Sequence, residues 1–341
     1  LAALPLHTYR NTSAGPEKIS GGLETLIHEA PNKEWTSFKL RAYFWQQVFT
    51  GGRGLLYIER SGSNITGLYP MHPGMVAIKR DNLGVTTYEV NGKVYAAADV
   101  IDIPFMLKSC GLSHYGPITM GAKAIQLALA MNEYGSGFFA GGGVPPLAVY
   151  GPLPAGPEAM KRATQEINRA VRAARDDNTP IVQMPPGYEL KPIGFEPDKG
   201  QMTEGRLFQI QEIARIYSLP PVFLQDLSRG TFANVEQQDL FFVKHLVGQW
   251  AQAFEEELNL KLFGQRNGGR YVEHNLDGLM RGDFVARMNG LAQGVQNAIL
   301  TPDEARALEG RQAKGGSADD LQIQGATVPL GSNVAPTGGV Q

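Results

Sequence analysis

The feature that most limits how this chain can fold is a helical pattern of 29 positions from Val235 to Phe263. At 1.5 Å per residue it spans about 44 Å. Its apolar set (Leu240, Phe241, Val243, Leu246, Val247, Trp250, Phe254, Leu258 and Leu262) covers more than one face. A helix apolar on several sides is either central in a large core or packed against other chains. The chain has 341 residues, which allows about two domains, and at 43% hydrophobic it holds ample material for a core. No run approaches the ~18 uninterrupted apolar residues of a membrane-spanning helix. With 31 basic and 33 acidic residues the net charge is −2, which excludes a histone-like basic protein. Charged residues make up only 19%, against ~25% for ordinary soluble domains. This low charge needs an explanation.

The rest of the chain is punctuated by turn chemistry. The opening Leu1-Ala2-Ala3-Leu4-Pro5-Leu6 reads as the end of a helix entering a strand, in a sequence that begins inside a longer protein. Ala30-Pro31-Asn32 is a helix stop. Lys39 to Thr50 has helical periodicity, with Leu40, Tyr43, Phe44 and Val48 on one side and Gly51-Gly52 as its end. From there to about residue 104, short β-rich runs alternate with turns, including the hairpin signal Val90-Asn91-Gly92. They predict one small antiparallel sheet. Pro117 opens a helix running to Phe139, and Gly141-Gly142-Gly143 ends it. Residues 141–195 form a separate module. It holds an apolar run Val144–Val149, a polar helix from Pro157 to about Arg175, a strand at 181–183 and the segment Tyr188-Glu189-Leu190. A helix follows over about Thr203–Tyr217, stopped by Pro220-Pro221. The segment Ser228-Arg229-Gly230-Thr231-Phe232-Ala233-Asn234 reads as a loop. After the long helix come helices over about Asp283–Gln293 and Thr301–Glu309, the latter with a Thr N-cap and Pro at its first position. Beyond Gln312 the composition predicts a disordered tail. The fold class is α+β.

Few residues point to catalysis. The six histidines are scattered without HxxxH or HExxH spacing, so no metal site is expected. No GxSxG or Walker A sequence occurs. The glycine clusters Gly51-Gly52-Arg53-Gly54 and Gly141-Gly142-Gly143 both follow helices, which makes them caps and hinges rather than phosphate cradles. Glu255-Glu256-Glu257 reads as a solvated face. Cys110 is the single cysteine, unable to form an internal disulfide, and reads as a small buried hydrophobe. The helix 158–175 carries Lys161, Arg162, Arg169, Arg172 and Arg175. Its terminal bases complement the helix dipole, or dock to a partner or to DNA phosphates. No active site assembles and no cofactor is implied. A metal-dependent nucleic-acid hydrolase built on scattered carboxylates, and an assembly adaptor that never touches DNA, are the alternative readings.

The order of elements resembles the phage portal proteins, specifically the Hong Kong 97-like branch. The residues that carry the likeness run from Leu4-Pro5-Leu6-His7-Thr8-Tyr9-Arg10 through Pro31-Asn32, Gly51-Gly52-Arg53-Gly54, Asp99-Val100-Ile101-Asp102-Ile103 and Tyr115-Gly116-Pro117-Ile118. The most specific stretch is Glu212-Ile213-Ala214-Arg215-Ile216-Tyr217-Ser218-Leu219-Pro220-Pro221, followed by Asn234-Val235-Glu236-Gln237-Gln238 and the long helix. Leu279-Met280-Arg281-Gly282-Asp283 and Asn297 to Arg306 match near the end. Where the family usually has Gly-Asn after the first helix, this chain has Gly52-Arg53-Gly54.

The resemblance implies a subunit of a ring, typically twelve-membered, through which double-stranded DNA passes at one capsid vertex. It implies a wing (1–117), a stem helix (118–140), a clip (141–195), a second stem helix (196–224), a tunnel loop (225–234), a long wing helix with a following strand (235–280), a crown (281–311) and a tail (312–341). Ser228, Arg229, Thr231, Phe232 and Asn234 would face DNA; Arg169, Arg172 and Arg175 would face a partner at the clip. Implied partners are double-stranded DNA, further copies of the chain, a terminase large subunit, the major capsid protein and a head-tail adaptor, with no membrane. The protein would sit in the virion after assembly in the host cytoplasm. Low charge suits this role, because a ring of basic patches would grip a duplex that must slide.

Overall fold

The structure, a computed structural model, describes residues 1–13, 15–140, 147–151, 156–176, 187, 189–192, 199–224, 238–265, 268–276, 284–309 and 311–322. It divides into one unit of Leu1–Ala3 and Thr8–Val272, and a second of Leu4–His7 and Glu273–Gln341.

The chain begins with β1 (Leu6–Thr12) and β2 (Gly15–Lys18), and residues 1–5 are not helical. In the first unit, β2 pairs antiparallel with β1, Tyr9 opposite Lys18. A short helix α1 (Gly22–Glu24) passes into a π-helical turn, Thr25–Glu29, which stops at Ala30. Helix α2 (Ser37–Gly51) begins at Thr36, whose side chain accepts the Lys39 N–H. It ends at Gly52, whose φ of 91° puts it in the left-handed region. A Cβ at Gly52 would lie 2.5 Å from Gly116 Cα and 2.8 Å from the Tyr115 oxygen. Only glycine fits there, as the sequence reading expects.

Six strands follow: β3 (Arg53–Ser61), β4 (Asn64–Met71), β5 (Ala77–Arg80), β6 (Thr86–Val90), β7 (Lys93–Ala96) and β8 (Val100–Pro104). They form two three-stranded antiparallel sheets, β4-β3-β8 and β5-β6-β7, rather than the single sheet expected. The reason lies in pairing at long range. Strand β8 returns to β3, with Gly54 opposite Ile103 and Leu56 opposite Ile101, and leaves β5–β7 as a separate layer. The β6–β7 turn is the predicted one, with Asn91 at φ 50° and Gly92 at φ 81°.

Period-2 alternation gives the β3 sheet two buried faces. Gly54, Leu56 and Ile58 share one face, and a Cβ on Gly54 would meet Phe44 and Val48 of α2 at 2.7 Å. The other face carries Leu55, which clusters with Met71, Tyr88 and Val100 against the second sheet.

The chain continues through β9 (Met106–Leu107), β10 (His114–Tyr115), α3 (Pro117–Met120) and α4 (Ala122–Ala140). The expected unbroken helix from Pro117 is interrupted at Gly121. A Cβ there would lie 2.1 Å from Ile216 Cδ1, so the missing side chain is what admits the isoleucine. Next come β11 (Leu147–Tyr150), α5 (Pro157–Asp176), β12 (Glu189–Pro192), antiparallel to β11, and α6 (Lys199–Ile216). The strand expected at 181–183 and the Gly141–Gly143 hinge lie outside the described residues.

The long helix is helical over 238–263, with a π-helical stretch Phe242–Val247 inside it. This corrects the expectation of one regular α-helix. Its buried residues Val243, Val247, Ala251, Phe254, Leu258 and Leu262 recur at three- and four-residue steps as a single stripe. The strand β13 (Arg270–His274) follows.

In the second unit, helices Phe284–Gln296 and Pro302–Leu308 are present as expected. Thr301 and Glu304 form a reciprocal capping box. Residues 311–322 are not the structureless start of a tail. The Asp303 carboxylate accepts the Lys314 N–H at 2.8 Å and the Gly315 N–H at 2.6 Å, and a 3-10 turn, Gly316–Ala318, follows. Residues 323–341 lie outside the described residues.

Candidate functional site

The residues flanking 225–237 are the best-positioned candidate. On the entry side, the α6 helix stops because Ser218 turns left-handed, at φ 55°, and the Leu219 N–H donates back to the Ala214 oxygen at 2.9 Å. Tyr217 is then fixed at both ends. Its hydroxyl donates to the Phe49 carbonyl at 2.9 Å, and its ring meets Phe105 at 6.2 Å between centroids. Phe105 stacks on Trp250 of the long helix at 5.6 Å, and Trp250 meets Phe49 at 5.2 Å. On the exit side, Phe242 lies 4.4 Å from Phe223. Phe223 and Phe242, which flank the segment 225–237 in the sequence, are therefore in contact. Ser228, Arg229, Thr231, Phe232 and Asn234 themselves lie outside the described residues.

Helices α4 and α6 run antiparallel, because Gly121 meets Ile216 while Gly205, eleven residues earlier, meets Met131. The α4 helix carries only two charges, Lys123 and Glu133. Yet Leu127, Leu129 and Tyr134 are more than half exposed, as is Phe208 on α6. At the start of the long helix Leu240 and Phe241 are equally exposed. On α5, Arg169 is exposed; Arg172 and Arg175 belong to the same helix, but their side chains lie outside the described residues.

Sequence reasoning missed a buried ionic cluster. Arg53 sits at the first position of β3, and its Nε donates to Asp102 Oδ1 at 2.6 Å while Nη2 donates to Oδ2. Its Nη1 donates to the Leu112 carbonyl. The two side chains are only 6% and 8% exposed. The Tyr88 hydroxyl also donates to Asp102, and the Asp102 N–H donates to Glu257 Oε1 at 3.1 Å. Glu257, read as part of a solvated triplet, is thus turned inward. Burial pushes its carboxyl pKa up, against the pull of Lys261 at 3.6 Å. Burial also drives the Tyr88 phenol far above its usual range, reinforced by the Asp102 charge beside it. The signal for this cluster was a lone acid inside the apolar strand Val100-Ile101-Asp102-Ile103.

Cys110 is exposed, not buried. It lies in the tight turn between β9 and β10, where polar backbone rather than apolar packing surrounds the sulfur. The Ser113 N–H donates to its Sγ at 3.3 Å. That bond, with one from Leu112, favours the thiolate and lowers its pKa to about 7. Alkylation by iodoacetamide should therefore rise with pH around a midpoint near 7, where a free cysteine gives about 8.5. A midpoint at the free-cysteine value would show that the turn does not hold these bonds in solution.

Comparison with known proteins agrees with this arrangement of elements. A family model described as phage portal protein matches residues 1–310. The chain is 29% identical over 328 residues to the probable portal protein of Streptomyces phage phiC31, covering 91% of this chain and 71% of that one. The crystal structure of an HK97 family phage portal protein from Corynebacterium diphtheriae superposes with a TM-score of 0.58 at 16% identity, covering 82% of this chain and 88% of that one. A chain of the neck of a native gene transfer agent particle, computed with C12 symmetry, gives 0.57 at 19% identity, covering 92% and 87%.

Proposed function

The chain belongs to the phage portal protein family, and on that premise we propose that it forms a ring-shaped DNA channel at one vertex of a phage capsid. The reading gives the ring twelve subunits, the symmetry of the related neck particle. One observation supports the ring beyond family membership: the nearly uncharged α4 helix exposes Leu127, Leu129 and Tyr134. Side chains of that kind need a cover, and in a ring each subunit's flank covers the next.

In this reading residues 1–117 and the long helix form the wing, helices 118–140 and 196–224 the stem, residues 141–195 the clip and residues 281–311 the crown. The segment 225–234, whose flanking residues Phe223 and Phe242 touch, projects into the pore. There Ser228, Arg229, Thr231, Phe232 and Asn234 touch phosphates and sugars without reading bases. Arg169, Arg172 and Arg175 present positive charge at the clip to a terminase, which supplies the ATP hydrolysis. The capsid protein and a head-tail adaptor are the other partners. The near-neutral chain keeps each duplex contact weak, since every phosphate fixed by a cation adds salt-sensitive affinity that opposes sliding.

Native mass spectrometry tests the ring directly, and a protein that stays monomeric both alone and with its capsid partners removes the reading. Arg229→Glu should leave the ring intact while reducing the DNA packaged per particle. Unchanged packaging would take Arg229 out of the channel lining.

A further inference from the structure

On the face of the β3 sheet nearest β5–β7 there is a cavity of about 470 Å³ whose walls are largely aromatic. Trp35, Tyr43, Tyr57, Tyr69 and Tyr95 line it, with Met75 at 58% exposure. Tyr57 and Tyr95 meet edge to face at 5.0 Å, and Trp35 and Tyr43 at 5.7 Å, so the walls are braced by one another. Two cations cap the walls: Lys39 Nζ sits 4.6 Å above the Trp35 ring and Lys93 Nζ 4.9 Å above Tyr95. Neither lysine is in an ion pair among the described residues.

The same small sheet carries a matching knob at its other end. The turn between β5 and β6 holds Leu83 at 89% exposure and Val85 at 53%. This turn is ordered by its own hydrogen bonds. Asp81 Oδ1 accepts the N–H groups of Leu83 at 2.9 Å and Val85 at 2.8 Å, the Asp81 N–H donates to Val85 at 3.0 Å, and Gly84 takes φ 83°. Asp81 is the only charged residue from 81 to 88. Its carboxylate therefore travels with the exposed leucine.

The knob cannot fill the pocket of its own subunit. Ala77 pairs with Glu89 at the pocket end and Arg80 with Thr86 at the tip, three rungs away, or about 10 Å along the sheet. Two complementary surfaces at opposite ends of one layer are what a head-to-tail contact requires. We propose that Leu83 of one subunit inserts into the Trp35–Tyr95 pocket of its neighbour, with Asp81 facing Lys39 and Lys93, as a wing-level contact between copies of this chain. The proposal rests on the ring reading above and names one interface within it.

In a Cys110→Ser background, the double variant Leu83→Cys/Tyr95→Cys should give a ladder of disulfide-linked oligomers on mild oxidation, which neither single cysteine variant gives. Independently, Leu83→Asp should lower the ring-forming association constant about ten- to a hundredfold per interface, the worth of burying one leucine. Its monomer should melt as the wild type does, because Leu83 touches water in the free subunit. Wild-type rings that persist in Leu83→Asp and yield no ladder overturn this contact while leaving the ring standing. A wild type that never assembles overturns the ring itself, and this contact with it.

Discussion

Asp102→Ala should lower the free energy of unfolding by about 3–5 kcal/mol, because it leaves the Arg53 guanidinium buried without its counter-charge. For a unit of this size that corresponds to a melting temperature lower by about 10 °C. The effect exceeds the worth of an exposed pair because the loss is mainly desolvation. Arg53, 6% exposed on its side chain, donates twice to Asp102 and once to the Leu112 carbonyl. Water reaches it poorly once the carboxylate is gone. Tyr88 loses its acceptor in the same substitution. Replacing both charges together, Arg53→Met with Asp102→Leu, should recover much of the loss, since the double variant strands no ion. Thermal unfolding followed by circular dichroism measures all three proteins. Equal stabilities for Asp102→Ala and wild type would mean that the cluster is hydrated in solution.

Most of what was legible in the sequence is local. Gly52 and Thr301 announce themselves because caps and left-handed turns depend on one or two residues. Asn91-Gly92 marks its hairpin for the same reason. What was not legible depends on residues far apart. Whether β8 joins β7 or returns to β3 is decided by pairing across some fifty residues, so one sheet was expected where two exist. Gly121 stands where it does because Ile216, almost a hundred residues later, fills the space a side chain would need. Glu257 has the same neighbours in sequence as a solvated glutamate, and only the Asp102 N–H on another element turns it inward. Cys110 reads as buried from its residue type alone, but its turn leaves the sulfur exposed. The family likeness is legible because ordered motifs carry it, and their order and spacing do not depend on side-chain environment.

The long helix separates folding from assembly within one element. Its apolar residues cover several sides, but the structure buries one stripe and leaves Leu240 and Phe241, at 53% and 54% exposure, outside it. Phe254 lies in the stripe, its ring 5.1 Å from Phe44 and 5.5 Å from Trp45. Phe254→Ala should therefore cost about 3–5 kcal/mol, the usual price of emptying an aromatic site that cannot collapse. Phe241→Ala should change the stability of the isolated chain by no more than about 0.5 kcal/mol, because its ring already meets solvent. If neighbouring subunits cover this end of the helix, the same Phe241 variant should weaken ring formation while Phe254→Leu, which keeps the core filled, should not. Urea unfolding reads the first pair of effects and native mass spectrometry the second. A Phe241→Ala protein that assembles like wild type would place the exposed pair away from any subunit contact. The breadth of the apolar surface would then need another partner, since the folded subunit itself buries only the stripe from Val243 to Leu262.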